Sequence, residues 1–419
     1  MRKISLFLFL LSSVSFAQEF SLQDCYEYAI KNHPDISNST IEKEKEKQKN
    51  SLTKKDWLPT IGSGFSQGGS LGRNIDPFSN DVVTRGIHYN SLGLNASMTL
   101  YNGGKFGYSN KKQKENEKLS GYSYMEYIQG KKREIANLFY QVLMDRSAIK
   151  IQENRLEEIE IQKLELEELI KEGMKPKSDM LEIELLQDQE AFNLRRAKNV
   201  AGNSLFKLST AIFYKNQKDF QIKEATLSQR KNQNSFFQRS PQFLKLISQR
   251  SINSIDGNIL KSNYLPTLSF SINSGTSYSS AAPAEFTLGR QLNSNFGQYA
   301  SFSLNFPIFS KGQKSNYLEL NRLEKLQIEN NLIAQQNSIE AEVALLESEL
   351  TLSKSELQSL DEQLKSLNTI QEVQKEKYKE GLITLTELNI WQNKYYQAQI
   401  NIKVAEYQNK LLLALLALY

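Results

Sequence analysis

The chain of 419 residues has one cysteine and two histidines. That scarcity excludes a disulfide scaffold, an iron–sulfur protein and a zinc module built from histidine and cysteine. Long apolar runs are also missing. The longest uncharged apolar stretch, Ile4–Ala17, is 14 residues and Leu411–Tyr419 is 9, whereas a spanning helix takes ~20. With mean hydropathy at −0.52, a multispan helical transporter is ruled out. Neither sign of charge dominates: 52 Lys and Arg stand against 47 Asp and Glu, interspersed along the chain. No nucleic-acid partner is indicated.

What is present begins at the N-terminus. Met1-Arg2-Lys3 is a basic lead, Ile4–Leu11 an apolar segment, and Ser15-Phe16-Ala17 a small-x-small site. Residues 1–17 are expected to be a secretory signal peptide. Its removal takes Arg2 and Lys3 with it and lowers the formal charge from +5 to +3. Cys25 lies eight residues past that cut, too deep to act as a lipidation cysteine. The expected destination is the periplasm or the outer membrane.

An internal repeat organises the remainder. Asp56-Trp57-Leu58-Pro59-Thr60 returns as Asn263-Tyr264-Leu265-Pro266-Thr267, and Pro34 as Pro241, both at an offset of 207. Tyr101-Asn102-Gly103-Gly104 is answered by Phe309-Ser310-Lys311-Gly312, and Lys171-Glu172-Gly173 by Lys379-Glu380-Gly381, both at 208. The expected organisation is repeat one over 18–211, an inter-repeat equatorial segment over 212–240, and repeat two over 241–419. Each repeat reads helix, strand, loop, strand, very long helix, glycine break, helix.

The strands show in alternation. In Ser91–Leu100 the even positions are Leu92, Leu94, Ala96, Met98 and Leu100, and the odd ones are Ser, Gly, Asn, Ser and Thr. Tyr299–Ile308 sets Ala300, Phe302, Leu304, Phe306 and Ile308 against Ser301, Ser303 and Asn305. Thr267–Asn273 alternates likewise, while Ile61–Ser70 is diluted by glycine. One apolar and one polar face per strand follow. About ten residues is the length of a tilted membrane strand, though a half-buried sandwich strand has the same signature.

The helical segments weigh against the sandwich. Gly104–Glu172 and Gly312–Glu380 contain no proline. A helix of 69 residues extends ~100 Å, beyond what a globular domain of this size accommodates. Val343, Leu346, Leu350, Leu357, Leu360, Leu364 and Leu367 follow alternating steps of three and four, with Ser353 in the gap, which is a heptad seam. Val142, Ile149, Leu156, Ile159, Leu166 and Ile170 hold that frame in the first repeat, interrupted by Asp145, Gln152 and Lys163. Gly173 and Gly381 suit helix-ending left-handed positions. After them the helix resumes from Pro176 to about Ala211 and from Leu385 to about Leu418. Each repeat is thus a long hairpin, and Phe213–Arg239, rich in Asn, Gln, Lys and Ser, is expected at the surface or partly disordered.

Four membrane-length strands cannot close a barrel, since the smallest membrane barrels use about eight. Open edges are not tolerated in lipid. Inserted strands therefore require oligomerisation, and the Ser, Thr and Asn faces suit a lumen of about twelve strands from three chains better than a filled barrel of about eight. The long helices would extend that barrel as a tube.

In this order and spacing the segments resemble the TolC-type outer-membrane efflux proteins across nearly the whole mature chain. Gly72-Arg73-Asn74-Ile75-Asp76-Pro77 in the first external loop looks like Bacteroidetes-type versions. The resemblance implies a mainly α-helical protein with a β-barrel part: a homotrimer whose strands form one barrel, continued by a coiled-coil periplasmic tunnel. It implies an outer-membrane exit duct for drug efflux or type I secretion, without a cofactor. The implied partners are a periplasmic adaptor and an inner-membrane pump of RND, ABC or MFS type. Leu94, Phe302 and Leu304 would then face lipid, and the tips at Gly173 and Gly381 would dock the adaptor. Acidic residues that narrow the periplasmic mouth in the family map to Asp179 and Glu387, each six residues past its tip glycine. A second acid three residues on is replaced by Ile390, with Asn389 beside it as a further candidate at the constriction. Glu387 also completes a capping box from Thr384, and Asp179 suits a first helical turn.

Catalytic chemistry has no sequence support. His33 beside Pro34 and His88 at a strand start lack ligand-spaced partners, and Cys25 reads as a small packed residue. Gly62-Ser63-Gly64 and Gly68-Gly69 are followed by no Lys-Ser/Thr, so they are not a phosphate loop. Glu42–Lys49 and Glu153–Glu172 read as solvated helix faces. The competing assignment is a periplasmic coiled-coil adaptor, which would share the signal peptide and the hairpins but has no use for paired amphipathic strands.

Overall fold

The computed structural model describes residues 19–75, 80–216, 219–224 and 237–419. The expected signal peptide lies outside them, as do Asp76 and Pro77 of the first external loop and residues 217, 218 and 225–236 of the inter-repeat segment. The order is β1 (Glu19–Phe20), α1 (Leu22–Asn32), α2 (Pro34–Thr53), β2 (Thr60–Ser70), β3 (Arg73–Ile75), β4 (Val82–Thr84), β5 (Ile87–Asn102), α3 (Lys105–Lys171) and α4 (Lys177–Ala211). It continues with β6 (Gln221–Ile222), α5 (Pro241–Ser262), β7 (Thr267–Ser279), α6 (Leu288–Ser294), β8 (Gly297–Asn305), α7 (Gln313–Lys379) and α8 (Leu385–Leu416). The fold is mostly helical with some sheet. Both long helices, α3 and α7, have 67 residues. The described residues fall into two compact units, one within Glu42–Tyr122 and Leu244–Ala334, the other within Met1–Ile41, Ser123–Phe243 and Gln335–Tyr419.

The first unit holds a four-stranded antiparallel sheet in the order β2-β5-β7-β8. β2 forms in full despite its glycines because β5 supplies the missing bulk. Tyr89 lies directly over Gly68 and the Asn95 side chain over Gly62, so cross-strand side chains cover bare backbone. β5 runs past the expected Leu100, with a bulge there: Thr99 pairs with Ser269 and Tyr101 with Leu268. Two residues oppose one, which reverses the parity of Tyr101 and Asn102 relative to the residues before it. β8 stops at Asn305 rather than Ile308, because Pro307 has no N–H to give the ladder.

Beyond Gly275 the outer edge of β7 has no strand beside it, and α6 takes over. Gln291 accepts from the Ser279 N–H at 2.9 Å, Asn295 donates to the Ser277 carbonyl at 2.7 Å, and Thr276 donates to the Leu292 carbonyl at 2.6 Å. An edge left open would invite pairing with another strand; here two side chains one helical turn apart close it. Below the sheet, polar contacts tie the helices of this unit. Asn50 donates to Glu117 at 2.7 Å, Gln113 to Glu46 at 2.8 Å, and Lys112 pairs with Asp256 at 2.6 Å.

In the second unit β1 and β6 form a short parallel pair. Around it Phe20, Cys25, Ala29, Phe139, Val142, Leu208, Ile212, Phe220 and Ile222 make the main core. Ser21 caps α1, with the Asp24 carboxylate accepting its N–H at 2.9 Å. The described part of Phe213–Arg239 thus departs from the surface position expected of it, since Phe220 and Ile222 are buried. Arg146 fixes it by donating to the Ile222 carbonyl and to Gln221, both at 2.7 Å. The α7 seam runs as expected. Val343 and Ser353 are buried, Leu346, Leu350, Leu357, Leu360, Leu364 and Leu367 half-buried, and the same steps continue to Gln371 and Tyr378. On α3 Val142, Ile159 and Leu166 of the expected seam are buried and Ile149, Leu156 and Ile170 half-buried, with Ile151 and Arg155 buried beside it. Arg155 is buried there together with its ion-pair partner Glu190 of α4.

Candidate functional site: hairpin tips and sheet faces

The two hairpin tips are built alike. Gly173 and Gly381 both sit at φ +77°, a left-handed conformation that penalises any residue with a Cβ. Gly173 donates to the Ile170 carbonyl at 3.0 Å and Met174 to Leu169 at 2.9 Å; Gly381 donates to Tyr378 at 3.0 Å and Leu382 to Lys377 at 2.8 Å. This pair of bonds satisfies the last carbonyls of each long helix. The returning helices start differently. Pro176 stands at the N-cap of α4, one position before the first turn where it was expected, and makes no side-chain cap. Thr384 and Glu387 form the full capping box on α8, with Glu387 accepting from the Thr384 N–H at 2.9 Å.

Below the tips the four helices share a cluster of Ile159, Leu166, Ile183, Tyr378, Leu385 and Leu388. Polar contacts cross between the hairpins around it. The Tyr378 hydroxyl donates to the Asp179 carboxylate at 3.3 Å. Lys175 donates to the Tyr378 carbonyl at 2.5 Å and lies 3.9 Å from its ring centre. Thr386 donates to Glu182 at 3.1 Å. Burial, and after it the adjacent Asp179 carboxylate, push the Tyr378 phenol well above its ordinary range. Further along, Glu158 accepts from Lys375 at 2.5 Å, from Gln371 at 3.3 Å and from the Tyr396 hydroxyl. Arg155 and Glu190, both nearly fully buried, pair at 2.8 Å within the first hairpin.

The residues expected at the constriction are therefore in different surroundings. Glu387 is exposed on its cap. Asp179 is half-buried and held by the other hairpin, and Asn389 is half-buried with its side-chain oxygen lacking a partner. Sequence reading missed Tyr378, Lys175 and Glu158. Tyr378 was within reach, because the α7 seam continued past Leu367 lands on it. Lys175 and Glu158 carry no such signal.

The sheet presents two unlike faces. Register places Met98, Phe270 and Phe302 in one row and Ala96, Ile272 and Ala300 in the next; Leu94 and Leu304 share that face by alternation. It is open, with Phe302 71% exposed and in ring contact with Phe270 at 4.8 Å. On the other face Thr60, Ser97, Ser271 and Ser301 form a row, and Gly64, Gly93, Gly275 and Gly297 another. Asn95 and Ser303 lie on this second face. Among the described residues no group of three or more His, Cys, Asp or Glu is placed to hold a metal ion, and no helix is long and apolar enough to cross a membrane.

Sequence comparison with curated proteins finds no match. Solved structures share the fold. The chain superposes on CusC, whose structures concern transmembrane channel formation, with a TM-score of 0.82 at 14% identity, covering 95% of this chain and 91% of that one. For the Campylobacter jejuni CmeC outer membrane channel the values are 0.77, 16%, 95% and 85%. For the open state of the Neisseria gonorrhoeae MtrE outer membrane channel they are 0.75, 14%, 95% and 88%. The outer membrane efflux protein family matches residues 25–211 and 235–419, and with that span the chain belongs to the outer membrane efflux protein family.

Proposed function

We propose that three copies of this chain form an outer-membrane exit duct, in which twelve strands make one barrel and the paired helical hairpins make a periplasmic tunnel. The observation that carries this reading is the sheet. It has four strands, an exposed apolar face, an uncharged polar face, and two open edges, β2 and β8. Four strands cannot close in lipid, and an unpaired edge there costs several kcal/mol per group. Since β2 and β8 run in opposite directions, the β8 of one copy can pair antiparallel with the β2 of the next. The apolar face, with Leu94, Phe302 and Leu304, then meets lipid, and the Ser, Thr, Asn and Gly rows line the lumen.

Two repeats, 18–211 and 241–419, joined through 212–240, fit two long helices of equal length and two tips of equal geometry. The duct is a passive conduit of a tripartite efflux or type I secretion system. Its hairpin ends, at Gly173 and Gly381, dock a periplasmic adaptor that bridges to an inner-membrane pump, and Asp179, Glu387 and Asn389 lie at the narrow mouth. Protein extracted in mild detergent should scatter light as a trimer and give steady channels in planar bilayers. A monodisperse monomer without conductance would remove this reading.

A further inference from the structure

Charge is missing from the strands and gathers where they end. β2, β5, β7 and β8 contain no Asp, Glu, Lys or Arg, in a chain of which 24% is charged. Their helix-proximal ends, at Thr60, Asn102, Thr267 and Asn305, lie along one end of the sheet. The four connections there together with the adjoining helix ends, residues 54–59, 103–114, 261–266 and 306–316, carry nine lysines and a single acid, Asp56.

Lys112 pairs with Asp256. The other eight lysines, among them Lys54, Lys55, Lys105, Lys261, Lys311 and Lys314, are exposed and form no ion pair among the described residues. The contrast with the same helices a few turns away is direct. Lys45, Lys47 and Lys49 of α2 pair with Glu42, Glu44 and Glu46 at 2.6, 3.7 and 2.6 Å, and Lys118 of α3 pairs with Glu115 at 2.7 Å. Outside the junction many lysines of these helices are paired, as Lys325 and Lys365 of α7 also are; at the junction one of nine is.

Large apolar side chains are interleaved with the unpaired lysines. Trp57, Tyr101, Phe306, Ile308 and Phe309 are exposed, Ile308 at 95%. Lys314 stands 4.7 Å from the Tyr264 ring and Lys111 5.8 Å from Tyr108. The connections also touch one another: Lys105 donates to Asn263 at 3.2 Å, and Gly103 lies against Leu265. A water-facing surface has no use for exposed aromatics among unneutralised ammonium groups. A bilayer interface has, since Trp and Tyr settle at headgroup depth and lysine stems run along apolar surface to reach phosphate. At the opposite end of the sheet the described connections mix Arg73, Arg85 and Arg290 with Asp81 and Glu285, so the excess belongs to one side.

We propose that this junction is a collar that binds anionic phospholipid in the leaflet on the helical side of the membrane, the ammonium groups meeting phosphodiester anions that bear a net charge. The proposal rests on the strands spanning a bilayer. Each lysine that reaches an anionic surface favours it about fivefold, so the collar discriminates against zwitterionic lipid.

Trp57 lies in the collar, and the chain has one other tryptophan, which Trp391→Phe removes. The full chain carrying Trp391→Phe, reconstituted in vesicles, should be quenched by brominated phosphatidylglycerol at a several-fold lower mole fraction than by brominated phosphatidylcholine. Lys54→Gln, Lys55→Gln, Lys311→Gln and Lys314→Gln together should erase that preference while quenching at high lipid fraction persists. Raising the salt concentration on the otherwise unaltered chain should weaken the preference too. Equal quenching by the two lipids at low salt overturns the collar and leaves the spanning strands intact. Quenching by neither overturns both.

Discussion

The hydroxyl of Tyr378 on α7 donates to the carboxylate of Asp179 on α4 at 3.3 Å, which joins the two hairpins one turn from their tips. A hydrogen bond to a charged group contributes about 1.5–3 kcal/mol. Tyr378→Phe keeps the buried ring and removes only that bond, so the hairpins should part more easily. The expected result is a larger or more often open channel in planar-bilayer recordings. Tyr378→Phe combined with Asp179→Asn should add little to either alone. Unchanged conductance in all three variants would show that the contact does not hold the mouth.

Glu387 and Asp179 are not in equivalent surroundings. Glu387 is exposed, while Asp179 is half-buried and already bonded. A ring of carboxylates favours cations, and Glu387→Gln preserves the capping box while removing the charge. Reversal potentials in a salt gradient should shift toward lower cation selectivity with Glu387→Gln, and by less with Asp179→Asn. No shift in either would remove both residues from the constriction.

Phe302 and Ser303 are neighbours on opposite faces of β8. Lysine at Phe302 should cost about 2–4 kcal/mol if that position lies near the bilayer midplane, and lysine at Ser303 much less. Urea-induced unfolding from vesicles measures both. Equal losses would reverse or cancel the assignment of lipid and lumen faces.

Arg155 and Glu190 are buried together, with side-chain exposures of 5% and 8%. Glu190→Gln removes the carboxylate paired with the guanidinium, leaving only the Glu158 charge nearby, and should destabilise the helical unit by about 3–5 kcal/mol. Arg155→Met with Glu190→Leu should recover most of that loss, because neither partner then remains buried alone. Thermal melts followed by helical circular dichroism compare the two.

Cys25 is fully buried in the main core, and burial, with Asp24 nearby, pushes its thiol from 9.0 up to about 12. Maleimide should label it only as the chain unfolds. Between those two values the unfolded thiol has lost its proton and the folded one has kept it. Stability should therefore fall as pH rises through that window, and Cys25→Ala should flatten that part of the pH profile.

Much of the fold was legible because it is periodic. Alternation in Ser91–Leu100 and Tyr299–Ile308 marked the faces of β5 and β8, and steps of three and four marked the α7 seam. A period carries no partner, however. That β7 lies between β5 and β8 depends on pairings across more than 160 residues, which alternation along one strand does not encode. The tips were found from glycine, whose φ +77° conformation has a residue signature. Lys175 and Tyr378 meet across 203 residues with no local mark on either. β2 looked weak because its glycines were weighed by themselves, whereas Tyr89 and Asn95 on the neighbouring strand fill the space they leave.

The bulge at Leu100 sets limits on length change during descent. Because Leu100 and Tyr101 both oppose Leu268, one residue is spent in reversing parity just before Gly103 and α3. Loss of Leu100 would restore strict alternation and leave Tyr101 opposite Leu268 and Asn102 opposite Thr267, on the faces they hold now. α3 would then start from the same side of the strand, whereas a residue lost within α3 itself displaces by about 100° every helical position that follows. A gap of one codon is therefore absorbed at the bulge and not in the helix. Relatives that keep this sheet should vary in length within the loop between β2 and β5, within that between β7 and β8, or by the one bulged residue, and hold the rest of the stretch from Met98 to Lys105 constant.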